Sequence, residues 1–432
     1  MPFSFITKPA SEFDFKFKTR WNYLTVLFSL AASFTTGVSA AEKMTSLPRV
    51  FEADPQVLFM TKATLSSGSQ TLQPALHKLL RDADAALTIK PLSVMDKKQV
   101  PPSGDKHDYM SQAPYFWRDT NSADAKYIRR DGERNPESGA DSDAGRLGKV
   151  CGSSHTLALA FYFTSDEKYA AKAAELVRVF FLNPATRMNP NLDYGQGIPG
   201  ETEGRPAGLI SARSLVDLVD AVGLLAGSKA WTAADQQGMT DWVEKYFNWL
   251  TTSKIGRGEA AASNNHGTFY DVQATALALF IGKTNESKKI LLAAREKRIA
   301  SQIAPDGRMP RELARTLSFN YSLFNLRAMV DLAGLGEKAD VDLWDYHTAD
   351  GRSLLKALEF VAQYADSKRE WPYPQIHQPN RADLGEILIR AAVKYPQSNL
   401  KAALKFYKPE DFSNQAWRLY FRTVLPETLA GN

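Results

Sequence analysis

The sequence predicts an all-α protein in which paired antiparallel helices form an incomplete helical barrel, an (α/α) toroid. Apolar residues recur every three or four positions in many segments, which is the spacing of amphipathic helices. Two helical hairpins, over 155–182 and 272–303, resemble each other, and runs with the alternation of β-strands are not evident. Stacked hairpins form toroids or solenoids with a central cleft. A non-repeating helical array is the alternative.

The predicted helices follow one another through most of the chain. Asp166 is placed to cap the second helix of the first hairpin. Residues 44–70 are expected to wrap the surface, and 90–150, which have little periodicity, are expected to line or cover a site. Linkers rich in Gly or Ser are missing, so 41–432 is expected to be a single catalytic domain. The helices are expected over 72–89, 155–163, 168–182, 209–225, 233–251, 272–281, 287–303, 312–332, 353–364 and 382–393.

The first forty residues have the pattern of a secretory signal peptide. Basic residues precede an apolar run over 23–32, and Val38-Ser39-Ala40 fits the small-residue cleavage rule, with cleavage after Ala40. An uncleaved anchor is the alternative. Export to the periplasm or the medium is therefore expected, with no membrane contact after cleavage. The single cysteine, Cys151, excludes an internal disulfide.

Composition and motifs exclude several functional classes. The net charge of +5 comes from Lys and Arg interspersed with acids, which is not the pattern of a nucleic-acid-binding protein. The six histidines are scattered without metal-ligand spacing. Phosphate-binding, dinucleotide-binding and serine-nucleophile motifs are missing as well. The sequence thus predicts no metal and no cofactor, and a monomer is expected.

The strongest candidate site is the polar stretch Asn264-Asn265-His266 at the start of an apolar helix, with Tyr270 close behind it. Buried polar side chains need partners, which a cleft would supply. The alternative is that an asparagine caps the helix. His155, on the first hairpin, is a further candidate for a sugar contact, and a core or capping histidine is the alternative.

Two further clusters accompany it. Arg315 and Tyr321 lie about fifty residues downstream, where a solvated arginine and a core tyrosine are the alternatives. The other cluster interleaves aromatic rings with amide and guanidinium groups, a composition that suits sugar rings and carboxylates. An aromatic core segment is its alternative. The candidates in this cluster are Gln112, Tyr115, Trp117 and Arg118.

Taken together, these segments resemble the alginate lyase superfamily of polyuronate lyases, which are helical toroids. The resemblance spans roughly 105–335 and rests on three motifs in order. They are Tyr109 to Trp117, Asn264-Asn265-His266, and Glu312-Leu313-Ala314-Arg315 followed by Asn320-Tyr321. The short spacer between Glu312 and Tyr321, with few basic residues, is closer to the branch that includes glucuronan lyases.

The resemblance implies syn β-elimination on a 1,4-linked polyuronate, either poly-β-D-mannuronate (alginate) or glucuronan. Asn265, His266 and Arg315 would neutralise the carboxylate at C5. Tyr321 would take the C5 proton and return it to O4, with Arg315 or a protonated His266 favouring its phenolate. Asn264, Tyr270, His155 and the aromatic cluster would bind substrate. The alternatives are a glycoside hydrolase on a helical toroid, which would need two carboxylates, and a non-catalytic binding protein for acidic polysaccharides.

Overall fold

The computed structural model describes residues 47–121, 126–139 and 142–424. The predicted signal peptide, 1–40, lies outside them. Within the described chain, no helix is both long and apolar enough to cross a membrane. The α-helices are α1 Pro55–Ser66, α2 Gln73–Leu87, α3 Asp143–Thr164, α4 Glu167–Val177, α5 Leu215–Leu224, α6 Ala233–Thr252, α7 Lys254–Ala260, α8 Asn265–Phe280, α9 Thr284–Ala294, α10 Pro310–Leu313, α11 Ser318–Lys338, α12 Leu354–Ala362, α13 Arg381–Ala391 and α14 Leu400–Leu404.

The helices form the predicted toroid. Its inner helices are α3, α5, α8 and α11, and each packs on the next. The outer helices α4 and α9 pack back on α3 and α8, as expected for the two similar hairpins. Both outer helices end in a turn of π-helix, over 178–182 and 295–300. Apolar side chains from both layers fill a single core between them.

The C-terminal segment closes the ring of helices. The 3₁₀-helix Ala416–Leu419 packs on α1 and α2, and α2 packs on α3. The Asp54 N–H donates to the Tyr420 carbonyl at 2.9 Å. Arg49 donates to the Phe280 carbonyl at 2.6 Å, which joins the N-terminal segment to the end of α8. The two ends of the described chain therefore meet.

Four short strands, which the periodicity does not reveal, lie between α2 and α5. They are β1 Met110–Gln112, β2 Phe116–Arg118, β3 Tyr127–Arg129 and β4 Tyr194–Gly197. β1 pairs with β4 in parallel, and β2 pairs with β3 in antiparallel. Strands of three or four residues are too short for an alternating pattern to stand out.

Several helix boundaries differ from the prediction; α8, for example, begins at residue 265 instead of 272. Local hydrogen bonds account for two of the other differences. α1 lies within the stretch predicted to wrap the surface, and Asp54 caps it by accepting the N–H groups of Gln56 and Val57. α3 begins at residue 143 instead of 155, because the Ser142 hydroxyl accepts the Gly145 N–H. The helix predicted over 312–332 is two helices, α10 and α11. Asp166 caps α4 as predicted.

A buried ion pair fixes the loop that leads into α8. Arg298 is 2% exposed and donates from Nε to Asp271 Oδ2 at 2.7 Å. It also donates to the carbonyls of Ala260 and Ala262 at 2.8 and 2.7 Å. A Cβ at Gly267 would collide with the Ala262 carbonyl and with the Arg298 guanidinium. The small residue after His266 thus lets this arginine pass beside α8.

Arg298→Ala is expected to lower the free energy of unfolding by about 3–5 kcal/mol, because it leaves the Asp271 carboxylate buried without its partner. Arg308→Ala is the matched control, since the Arg308–Asp306 pair has a similar distance, 2.6 Å, but is exposed to water. We expect that variant to unfold like the wild type. Urea denaturation followed by circular dichroism measures both. Equal stability of Arg298→Ala and Arg308→Ala would show that the buried Arg298–Asp271 pair does not stabilise the fold.

Candidate active site

Tyr321 lies in the first turn of α11, with its hydroxyl against that of Tyr115. The Tyr321 hydroxyl donates to the Tyr115 hydroxyl at 2.7 Å. The Arg315 guanidinium carbon lies 3.6 Å from the centroid of the Tyr321 ring, close enough for a cation–π contact. Tyr321 is therefore half-buried between a second phenol and a cation, rather than packed as an ordinary core tyrosine.

The structure corrects one expectation about this phenol. Burial raises the pKa of Tyr321 well above its ordinary value, and the hydrogen bond to Tyr115 raises it further. The positive charge of Arg315 acts in the opposite direction without outweighing them. In the free protein at neutral pH, Tyr321 is consequently a neutral phenol and not a phenolate.

Arg315 is held by Asp131, which the sequence did not reveal as part of the site. Its Nε and Nη2 donate to the two carboxylate oxygens at 2.9 and 2.6 Å, and the Thr316 N–H donates to the same carboxylate at 3.1 Å. Burial acts to raise the pKa of Asp131, but the hydrogen bonds from Arg315 and Thr316 hold it at about 2. The charge of Arg315 is therefore compensated in the free protein. The structure shows Arg315 orienting the Tyr321 ring.

Gly132 allows this approach. It has φ +79°, and a Cβ there would lie 2.6 Å from the Thr316 hydroxyl oxygen. A side chain at this position would be strained by the backbone and would push Thr316 away. The turn at 131–132 thus needs a glycine to bring Asp131 to Arg315.

The start of α8 is capped by Glu312 and not by an asparagine. Asn264 occupies the cap position, and its side chain makes no capping hydrogen bond. Instead, the Glu312 carboxylate accepts the Asn265 N–H at 2.7 Å and the Asn265 Nδ2 at 2.8 Å. Glu312 is 1% exposed, and burial raises the pKa of its carboxyl, although the bonds from Asn265 act to lower it. The alternative that an asparagine side chain caps this helix is therefore wrong, although Asn264 does occupy the cap position.

His266 is the one residue of α8 that is not buried, which indicates that it faces a cleft. Its Nδ1 lies 2.6 Å from Glu259 Oε1. Glu259 is 2% exposed, so a buried carboxylate orients the imidazole and favours a proton on Nδ1. In the described chain nothing hydrogen-bonds Nε2, which leaves this nitrogen for a ligand.

The two halves of the site meet at Glu312. Its carboxylate binds Asn265, the neighbour of His266, and Arg315 follows Glu312 three residues later in the chain. The segment from Glu312 to Tyr321 thus connects α8 with α11. Asn265 contacts Glu312, and Arg315 contacts Tyr321. That these residues and His266 act in one site stays a prediction, as does a contact of Asn265, which is 1% exposed, with a substrate carboxylate.

The aromatic cluster lies beside Tyr321, on β1 and β2. Tyr115 touches the Tyr321 hydroxyl, as described above. Gln112 donates to Glu137 Oε2 at 2.8 Å, and the indole N–H of Trp117 donates to the Glu133 carbonyl at 3.0 Å. Arg118 is exposed. These side chains border the site, and their contacts with substrate stay predictions.

Two predicted substrate contacts lie elsewhere. Tyr270 is 6% exposed and donates its hydroxyl to the Leu250 carbonyl at 3.3 Å, and burial raises its pKa to about 12. His155 packs edge-on against Tyr420, with ring centroids 5.6 Å apart, and burial lowers its pKa. In the described residues no contact joins either one to His266 or Tyr321. Both side chains lie in the packing between segments, and a contact of either one with substrate stays a prediction.

Sequence reasoning missed the three carboxylates that hold the site, Asp131, Glu259 and Glu312. Glu312 belongs to the Glu-Leu-Ala-Arg motif, but its position in that motif does not by itself predict a function for it. Glu259 lies seven residues before His266, and Asp131 lies far from Arg315 in the chain. A positioning carboxylate carries no local sequence signal when its partner belongs to another element.

The comparisons with known proteins agree with this geometry. A family model described as alginate lyase matches residues 93–371. Among curated protein sequences, none matches the chain. The structure of an alginate lyase from Bacteroides ovatus superimposes with a TM-score of 0.83 at 40% identity, covering 87% of this chain and 99% of that one.

More distant structures share the fold alone. Alginate lyase A1-III from Sphingomonas species A1 superimposes with a TM-score of 0.54 at 15% identity, covering 89% of this chain and 100% of that one. A variant of alginate lyase A1-III complexed with a tetrasaccharide gives a TM-score of 0.55 at 15% identity, covering 89% and 99%. The family match over most of the chain and the 40% identity lead to one conclusion. This chain belongs to the alginate lyase family and is a polysaccharide lyase.

Proposed function

We propose that the protein cleaves a 1,4-linked polyuronate, poly-β-D-mannuronate or glucuronan, by syn β-elimination. The observation that carries the proposal is the Tyr321 phenol stacked under Arg315, in a segment whose Glu312 binds Asn265, the neighbour of His266. The Bacteroides ovatus relative is described as an alginate lyase, which supports the mannuronate polymer. The short spacer before Tyr321 keeps glucuronan in the proposal.

The first requirement of the reaction is to neutralise the carboxylate beside C5. Removing the C5 proton places further negative charge on that group, so hydrogen bonds to it strengthen in the transition state. His266, held by Glu259 through Nδ1, donates to the carboxylate from Nε2. Asn265 contributes its second Nδ2 hydrogen, since only one is bound by Glu312. Arg315 contributes its positive charge, reduced by Asp131.

The second requirement is a base at C5 and an acid at O4. Tyr321 serves as both if the C5 hydrogen and O4 lie on one face of the sugar. β-D-Mannuronate and β-D-glucuronate share this relationship and differ at C2, whereas α-L-guluronate is inverted at C5. The phenolate takes the C5 proton, and the resulting phenol returns it to O4 as the C4–O4 bond breaks. Arg315 over the ring stabilises the phenolate.

Tyr321→Phe and His266→Ala are each expected to abolish nearly all activity while leaving helical content unchanged. The phenylalanine keeps the stacking with Arg315 and loses only the proton-transfer group. The assay is the ultraviolet absorbance of the unsaturated uronate product on poly-mannuronate, poly-guluronate, glucuronan and glycosaminoglycans, with circular dichroism as the control. Full activity of Tyr321→Phe would contradict the assignment of Tyr321 as the proton-transfer residue. Reducing ends formed without that absorbance would indicate a hydrolase, and polymer binding without product a binding protein.

The pH dependence follows from the neutral state of Tyr321. Its pKa lies above the ordinary tyrosine value of about 10, and the phenolate is the base, so activity is present at high pH and lost as pH falls. We expect kcat/KM, which reports the free enzyme, to rise by up to about tenfold per pH unit between about pH 6 and pH 8. A profile that falls with pH in this range would contradict a tyrosine base.

Export is a further part of the proposal, because the pattern over 1–40 is that of a signal peptide. Expression of the full chain in a bacterial host is expected to yield periplasmic or secreted protein whose N-terminus is Ala41. Recovery of the intact N-terminus in the membrane fraction would instead support an uncleaved anchor.

A further inference from the structure

A second cavity adjoins the hollow that Tyr115 and Tyr321 line. Its volume is about 680 Å³, and it shares the side chains of Phe324 and Arg327 with that hollow. On α11, Tyr321, Phe324 and Arg327 follow at intervals of three residues and so occupy one face of the helix. The cavity therefore continues from the proposed cleavage site along the helix that carries Tyr321.

Two exposed arginines, Arg213 and Arg134, line this cavity. Neither Arg213 nor Arg134 forms an ion pair with a carboxylate of the described chain, and both are open to solvent. Arg213 donates from Nη1 to the Ile210 carbonyl at 3.0 Å, and its guanidinium carbon lies 5.8 Å from the Phe324 ring centroid. Arg327 differs, because Glu386 holds it through two bonds of 2.7 and 2.9 Å.

Arg213 and Arg134 line one cavity, and Asp217, four residues after Arg213, lines it too. Two like charges that share a cavity are stabilised by a bound anion. A guanidinium presents a planar set of donors that matches a carboxylate.

The rest of the cavity wall limits where an anion can bind. Glu52, Asp217 and Asp331 form part of the lining, and burial raises the pKa of Asp217 to about 6. Carboxylates repel a polyanion when they are ionised. Arg213 and Arg134 are accordingly the side chains of this wall that favour an anionic group. Phe324 beside it offers an apolar surface for the C–H face of a sugar.

We propose that Arg213 and Arg134 form a subsite that binds the carboxylate of a uronate residue neighbouring the one whose C4–O4 bond breaks. This inference rests on the proposed function, since it takes the ligand to be the polyuronate itself. It gives neither arginine a role in proton transfer. Their contribution is to hold the polymer equally in the ground state and the transition state.

Binding is measured by calorimetry with a purified mannuronate tetrasaccharide and its glucuronate counterpart, in the Tyr321→Phe background so that no turnover occurs. Arg213→Ala and Arg134→Ala are each expected to weaken binding about 10- to 100-fold, the loss typical of a charged hydrogen bond. Arg213→Lys should recover part of the affinity. The matched control is Arg81→Ala, an exposed arginine of α2, which should bind like the parent. Thermal unfolding of each variant checks that it is folded.

Kinetics with Tyr321 intact separate this subsite from the catalytic residues. Arg213→Ala should raise KM on the polymer with kcat nearly unchanged, the pattern of lost uniform binding. Unchanged tetrasaccharide affinity in folded Arg213→Ala and Arg134→Ala would overturn the subsite, even with full lyase activity in the wild type. The opposite outcome is also possible: the wild type shows no elimination activity, but its tetrasaccharide binding still depends on Arg213. That result would overturn the proposed reaction and support the subsite.

Discussion

The buried carboxylate of Glu312 is the interaction on which the rest of the site depends. It accepts two hydrogen bonds from Asn265 and so satisfies a free N–H at the start of α8. A negative charge at a helix N-terminus is also favoured by the helix dipole. Because Glu312 belongs to α10, this one contact fixes α10 against α8. It thereby sets the position of everything that follows Glu312 in the chain.

The second helix of the site is capped in the same way from a distant part of the chain. Leu317 precedes α11 and has no side-chain group to cap it. Gln375 takes this role, since its Oε1 accepts the Phe319 N–H at 3.1 Å and its Nε2 donates to Asn320 Oδ1 at 2.6 Å. Both helices that carry the proposed chemistry therefore begin at a tertiary contact. Their first turns, with His266 and Tyr321, are held by other elements of the toroid.

Charge is distributed differently in the two parts of the cleft. The cation Arg315, beside Tyr321, and the imidazole of His266 each have an acidic partner, Asp131 and Glu259. Partnered groups are fixed in orientation, which suits a site that must align a proton donor and acceptor. Arg213 lacks such a partner in the described chain and lies in a cavity that solvent reaches. A charged side chain without an ion pair, such as Arg213, is suited to binding an ionic ligand. Charged side chains that are held by partners, such as Arg315, are suited to acting on it.

The sequence alone determined the helical toroid, because amphipathic periodicity and the repeated hairpin are local properties of the chain. It also proposed Asn265, His266, Arg315 and Tyr321 as site residues, because the short motifs that contain them resemble those of a known family. Tertiary structure alone decided which side chains support them. Asp131 reaches Arg315 across 184 positions, and Gln375 reaches Asn320 across 55. It also showed that Tyr270 and His155 point into packed interfaces, and that burial keeps Tyr321 protonated. Such facts depend on what surrounds a side chain in space, and neither periodicity nor motif spacing contains that information.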